Sequence, residues 1–481
     1  LGGRAAIISL TRLLNRGLLL ISPIVLVRLL SVEDFGRYRE FLLYTTILLN
    51  FAALGISSSL LRFIPERPEL KWRYVQQTLL MTLSSSAVVS LAAFAIDVAL
   101  DGKAMGEFAL PVVIYVLLFV NFDFWEYLWL AEKRSLAVLA YTTGRLLARM
   151  ATVITAAALT SNVTVIIWSI VALEAVRLVV SSICWRRRAH QAEMHATTSW
   201  RDHLAYCLPY GGSMILTSLN ASLGSLFITK ALGAAALAIY AIGTYVQPII
   251  SILRNSLSDV LLPEMVSRAR HAQSDRLDLF RRTTIVTAIA LFAAAIVLGR
   301  FAELVIVTVF SEEYRSAALV MQLFLISFLR ECADFGVPLR AINRTAPIMR
   351  SNLIALTINL GLLTVLLPRW GLLGAVTAFV ISRFADGLYL GHELKKAYAV
   401  GWSEIVAWRD LGKVAAAALI AAGVLFSGSW VDALGVVGAV ISGALYVLSF
   451  GTLLVLFRVP EAATLLERLG ARASRPRHVN R

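Results

Sequence analysis

The sequence predicts an all-α polytopic membrane protein of about fourteen transmembrane helices, built as two six-helix lobes with an additional C-terminal pair. Three observations carry this. Hydrophobic residues make up 58% of the 481 residues and charged ones only 16%, with a mean hydropathy of +0.76; a soluble domain carries about 25% charged residues. The apolar residues recur in blocks long enough for a 20-residue helix to cross the hydrocarbon slab. The formal net charge of +15 is divided among the short polar stretches between those blocks. Together these exclude a soluble enzyme, a secreted disulfide scaffold and a disordered chain.

Taken in order, the apolar blocks place six spans near 7–28, 40–61, 75–96, 109–131, 138–159 and 163–184. Six more fall near 205–229, 235–260, 284–308, 317–338, 347–367 and 372–394, and a last pair near 412–428 and 434–457. The first block runs straight into further helices, so it reads as a retained span and not a cleaved signal. An N-terminus in the cytoplasm puts Arg62, Arg67, Lys71, Arg73, Lys133, Arg134, Arg186, Arg187, Arg188 and Arg281 on the cytoplasmic side. The opposite side keeps isolated cations such as Lys103 and Arg315 among Asp97, Asp101, Glu107, Glu312 and Glu313. This is the positive-inside bias. It expects both termini in the cytoplasm, hence an even number of crossings. The same distribution leaves no basic footprint for nucleic acid. The arginines of the tail, Arg468 to Arg481, suit anionic lipid.

An internal repeat divides the chain. Arg28-Leu-Leu-Ser-Val-Glu-Asp-Phe-Gly-Arg-Tyr38 closes the first span and opens the second, and Lys230-Ala-Leu-Gly-Ala-Ala-Ala-Leu-Ala-Ile-Tyr240 does the same after the seventh. The expected organisation is a lobe over 1–204, a second over 205–411, a helix pair over 412–457 and a basic cytoplasmic tail over 458–481. Parallel repeats of this kind suit alternating access. The pair is rich in Gly and Ala, which permits close helix contacts.

Charges inside spans are costly, about 2.5–3.5 kcal/mol each on insertion scales, and mark protein interiors or watery cavities. Arg12 and Arg16 in the first span, and Arg145 and Arg149 in the fifth, are each four apart and so share a helix face. A shared anion in a hydrated cavity accounts for two like charges together; for Arg12 and Arg16, snorkelling to headgroups is the alternative. The eighth span adds Arg254 beside Asn255 and Asp259, and the tenth has Arg330, Glu331 and Asp334. Arg383 and Asp386, three apart in the twelfth, read as a structural ion pair. Asp123 and Glu126 in the fourth span, and Glu174 with Arg177 in the sixth, either neutralise nearby arginines or take up a proton or sodium ion. Pro23, Pro209 and Pro248 lie inside the first, seventh and eighth spans and bend them, which makes them gate candidates.

Cys184, Cys207 and Cys332 are too scattered for a disulfide framework or a metal site, and read as packing residues. His190, His195 and His203 read as loop residues. No metal and no cofactor are expected. No GxxxxGK[ST], HExxH or GxSxG motif is present, so ATP-driven pumping by this chain has no support.

Three stretches resemble bacterial polysaccharide biosynthesis flippases of the multidrug, oligosaccharidyl-lipid and polysaccharide exporter superfamily: Arg28 to Tyr38, Leu54-Gly-Ile-Ser-Ser-Ser-Leu-Leu-Arg-Phe-Ile-Pro65, and Leu232 to Tyr240. The resemblance in layout covers almost the whole chain. It implies two lobes around a central cavity in the bacterial inner membrane. It also implies translocation of a polyprenyl-diphosphate-linked oligosaccharide to the outer leaflet for O-antigen, exopolysaccharide or capsule. On that likeness Arg12, Arg16, Arg145, Arg149 and Arg254 become ligands for diphosphate or acidic sugars, since the guanidinium fork suits phosphate oxygens. The implied partners are the lipid-linked glycan, membrane lipids and glycan-assembly proteins. A peptidoglycan-precursor flippase, a cation-coupled exporter of small molecules, and a membrane glycan polymerase or ligase are the alternatives.

Overall fold

The computed structural model describes residues 2–189, 200–267, 273–426 and 435–461, and among these the regular elements are helical. The chain divides into two compact units, Leu1–Ala241 and Ile242–Arg481. The first holds α1 (Gly2–Leu29), α2 (Val32–Ala53), α3 (Leu60–Glu66), α4 (Lys71–Ala99), α5 (Ala109–Val120), α6 (Phe124–Ala131), α7 (Ser135–Thr160), α8 (Val163–Ala189) and α9 (Trp200–Leu232). Its last helix begins α10 (Ala234–Gly243) at the unit boundary. The second holds α11 (Gln247–Ser267), α12 (Gln273–Arg300), α13 (Ala302–Val309), α14 (Ala317–Leu325), α15 (Ser327–Glu331) and α16 (Gly336–Ala341). It ends with α17 (Ala346–Tyr398), α18 (Trp402–Ile405), α19 (Trp408–Phe426) and α20 (Gly435–Leu456).

Among the described residues, seven helical stretches are individually long and apolar enough to cross a bilayer, and the bent pair Val32–Ala53 with Ser57–Glu66, angled by 49°, adds an eighth. One of the seven, α17, has 53 residues. At 1.5 Å per residue it extends about 80 Å, far beyond one crossing. Gly371 divides it, with φ 56° and ψ −133° inside the helix, a backbone conformation that a side chain would strain. The eleventh and twelfth expected spans are its two arms. Helix ends differ from the sequence reading: the second span starts at Val32, not 40, because Ser31 caps it, its Oγ accepting from the Asp34 amide at 3.1 Å with Glu33 and Asp34 in the first turn.

Several expected continuous spans are broken. The second breaks after Ala53, where Leu54 turns left-handed at φ 44°. The fourth breaks at 121–123, the eighth at 244–246 and the tenth at 326 and 332–335. Pro248 is therefore not in a helix interior: it sits in the first turn of α11, where a missing N–H costs nothing. Pro23 and Pro209 are inside α1 and α9 as expected.

Helix α9 packs along α2. Asn50 Nδ2 donates to Ser218 Oγ at 3.0 Å. A Cβ at Gly36 would overlap the Ala234 carbonyl, and one at Gly211 would lie 2.5 Å from the Leu54 carbonyl oxygen. Such backbone approach admits only glycine. Gly211→Ala should therefore destabilise the α2–α9 seam by about 1–3 kcal/mol, as for other overpacked sites, read as a lower melting temperature of the purified protein; an unchanged value would refute the close approach.

Further along the seam His203 is buried on α9, which corrects its reading as a loop residue; His190 and His195 lie outside the described residues, as does the tail beyond 461. His203 Nε2 is 2.5 Å from Ser59 Oγ and Nδ1 is 3.3 Å from Gln77 Oε1. Phe63 and Tyr74 pack their rings against the imidazole edge at 4.9 and 6.2 Å.

Candidate functional site

Each unit buries a network of arginines and carboxylates at a helix break. In the first, Arg145 of α7 donates to Asp123 at 2.7 Å and reaches Glu174 of α8 at 3.3 Å. Arg177, one turn after Glu174, pairs with it at 2.5 Å. The Arg177 fork also donates to the carbonyls of Leu118, Phe119 and Asn121 at 2.6, 2.8 and 3.2 Å. These carbonyls lie where the fourth span breaks and lose their helical donors. In an apolar layer such groups must be satisfied by protein, so Arg177 makes the break tolerable. Asp123 follows immediately after the break, which turns its carboxylate to α7.

Glu174 is 2% exposed and serves two guanidinium groups. Asp123 and Glu174 thus meet Arg145 together. Glu126 lies in the first turn of α6 and is half-buried. The Arg145 guanidinium also stacks over Phe119, 4.1 Å from its centroid.

Arg149, one turn further along α7, differs from Arg145. It is half-buried and makes no ion pair among the described residues. Its guanidinium lies 5.8 Å from the Tyr115 ring centroid, and the Tyr115 hydroxyl, itself buried, has no hydrogen-bond partner among the described residues. The half-buried guanidinium, with no carboxylate paired to it, has donors to offer an anion. Helix α1 is held against this part of α7 by Asn15, whose amide donates to Thr142 Oγ1 at 3.2 Å and accepts from Thr143 at 2.9 Å. Arg12 and Arg16 belong to the same α1 helix, but their side chains lie outside the described residues.

In the second unit Glu331 is the hub. It accepts from Arg383 of α17 at 2.6 Å and pairs closely with Arg254 of α11. Arg383 also reaches Asp386 at 3.2 Å, and Asp386 accepts from Arg330 at 2.8 Å and from the Ser351 hydroxyl at 2.5 Å. Arg330 donates to the Ala333 carbonyl at 2.9 Å, at the break of the tenth span. Three guanidinium groups thus share two carboxylates. Arg254, Ser258, Glu331 and Asp334 line a small pocket with Thr283 and Thr287. Ser258 donates to Asp334 at 2.8 Å.

The sequence placed Arg145, Asp123 and Glu174 on neighbouring spans and Arg383 beside Asp386, and the structure brings both sets together. It showed neither that Glu331 joins Arg254 to Arg383 nor that Arg177 caps a broken helix. The only local signal for these was an acid next to Arg330 and a cation three residues after Glu174. Among the described residues no group of three or more His, Cys, Asp or Glu could hold a metal ion.

An all-helical fold with bent, broken apolar spans and buried arginine–carboxylate networks in both units defines a polytopic membrane protein. The solved structure of Lipid II flippase MurJ in an inward closed conformation superposes with a TM-score of 0.68 at 13% identity, covering 95% of this chain and 99% of that one. A multidrug resistance MATE family transporter of the MOP superfamily, inward-facing, gives 0.54 at 14% identity over 82% of this chain and 97% of the other. The sequence profile of the polysaccharide biosynthesis protein family matches residues 2–270, and the chain belongs to that family. The capsular polysaccharide biosynthesis protein CapF of Staphylococcus aureus is 22% identical over 370 residues, 75% of this chain and 91% of the relative.

Proposed function

We propose that the protein moves a polyprenyl-diphosphate-linked oligosaccharide from the cytoplasmic to the outer leaflet of a bacterial inner membrane, by alternating access, for polysaccharide assembly. The observation that carries this is family membership joined to a flippase fold that spans 95% of the chain. The substrate's invariant part is its diphosphate, and Arg149, half-buried and outside the charge networks, is the described cation best suited to it. Arg12 and Arg16 are proposed to add cations from α1. Arg145 and Arg254 enter as members of the charge networks that position this surface. Lobes over 1–204 and 205–411, cytoplasmic termini, and coupling to a proton or sodium gradient complete the proposal.

A peptidoglycan precursor is the second reading. It is favoured by the fuller overlap with the MurJ structure, 95% of the chain against 82% for the MATE transporter. The two readings share a polyprenyl diphosphate and differ in the sugar. Purified protein in liposomes, given fluorescent polyprenyl-diphosphate oligosaccharide or lipid II, should reverse the leaflet of one of them several-fold faster than protein-free liposomes. Preference between them chooses the reading. Reversal of neither refutes both, and glycan elongation in the same assay would make the chain an enzyme.

A further inference from the structure

We propose that His203 is a proton-uptake site that latches the seam of α9 with the Ser59 turn, α3 and α4, beside the basic stretch Arg62–Arg73. It deepens the translocation reading by naming the proton as the ion that releases this seam. The imidazole bridges three elements: the turn carrying Ser59, α4 through Gln77, and α9 itself. Its ring is fully buried against Phe63 and Tyr74, and its polar contacts among the described residues are to neutral groups.

Among the described residues, the charged and titratable groups on the surrounding elements leave it without a counter-ion. On α3, Arg62 pairs with Glu66 at 4.0 Å and stacks over Tyr206. On α4 the facing group is the Tyr74 phenol ring. On α9, Arg201 and Asp202 are exposed, and Cys207 is buried one turn beyond. Burial beside aromatic rings without a carboxylate opposes an imidazolium. The neutral ring fits: one ring N–H and the Gln77 amide, which can present either oxygen or NH2, serve the two contacts, while Ser59 donates to the Ile56 carbonyl at 2.6 Å. Protonation therefore favours a separated seam in which the ring meets water. Exposed Arg201 and Asp202 adjoin His203 in the first turn of α9, so a small opening there admits the proton.

The sign follows from linkage. The separated state binds the proton more tightly, so the packed seam prevails at high pH. It is lost as pH falls through the range where a solvated imidazole titrates, near about 6.5. One coupled proton changes the separated-to-packed ratio by at most about tenfold per pH unit. The test uses the full chain in nanodiscs without substrate. Spin labels are placed through Leu61→Cys on α3 and Leu204→Cys on α9, both exposed, after Cys184→Ser, Cys207→Ala and Cys332→Ala. The distance distribution is then recorded from pH 8 to pH 5.

A longer-distance population should grow several-fold on acidification, and His203→Gln should hold the distribution constant. A pH-independent distribution in the parent, or the same response in His203→Gln, overturns the latch. Where His203→Gln does not fold, Ser59→Ala removes one contact and should move the transition to higher pH; an unmoved transition also overturns it. Because no glycan is present, failure here with leaflet reversal intact rejects the latch alone. A latch that works without leaflet reversal rejects the translocation reading alone.

Discussion

Glu331→Ala should destabilise the second unit by about 3–5 kcal/mol, the loss typical when one partner of a buried ion pair is removed. Glu331 is 8% exposed and accepts from Arg254 and Arg383 together. Removing it leaves Arg330 and Arg383 on Asp386 alone and takes from Arg254 the carboxylate it pairs with. The loss exceeds that of a surface pair, which is worth about 0–1 kcal/mol, because Arg330 and Arg383 are mostly buried and cannot replace the lost carboxylate fully with water. The measurement is the melting temperature and the monodisperse fraction of detergent-solubilised protein. Lys413→Ala, which breaks the partly exposed pair with Asp410 at 2.8 Å, should change stability by less than about 1 kcal/mol. Equal effects of the two substitutions would show that Glu331 is not a hub.

Arg149→Gln should leave folding close to the parent's and reduce leaflet reversal by about 10- to 100-fold, the range for losing a charge-assisted contact worth about 1.5–3 kcal/mol. The reason is its difference from Arg145 one turn away. Arg145 is tied to Asp123 and Glu174, so Arg145→Gln takes the ion-pair partner from part-buried Asp123 and leaves buried Glu174 to Arg177 alone, and should lower stability and transport together. Arg149 strands nothing: its described contact is the face of Tyr115. Thermal stability and leaflet reversal measured on both variants separate the two roles. Lysine at 149 keeps the charge but loses the fork, and should recover part of the transport. If Arg149→Gln lost fold and transport in equal measure, the guanidinium would be structural.

Both substitutions rest on neighbours that no local pattern names. The spacing of Arg145 and Arg149 put them on one face, and so it is; the same spacing could not tell that carboxylates from the α5–α6 break and from α8 meet only the first. Arg383 and Asp386 were readable as a pair because three residues make nearly one turn. Glu331 as their third member was not, since it comes from 52 residues away in the chain. His203 was misread because a polar stretch around it suggested a loop, whereas Ser59 and Gln77, 144 and 126 residues away, give its ring partners inside.

Apolar block length and the scarcity of charge were enough to establish an all-helical membrane protein and to locate its helices, because a chain in hydrocarbon must satisfy its backbone within each segment. Helix breaks and charge partners were decided only in three dimensions. A span breaks where its freed carbonyls find another donor, as those of Leu118 and Phe119 find Arg177, 59 and 58 residues along the chain. A buried arginine is structural or available according to which carboxylates packing delivers to it. Hydropathy records neither, since both depend on contacts between helices and not on the composition of one.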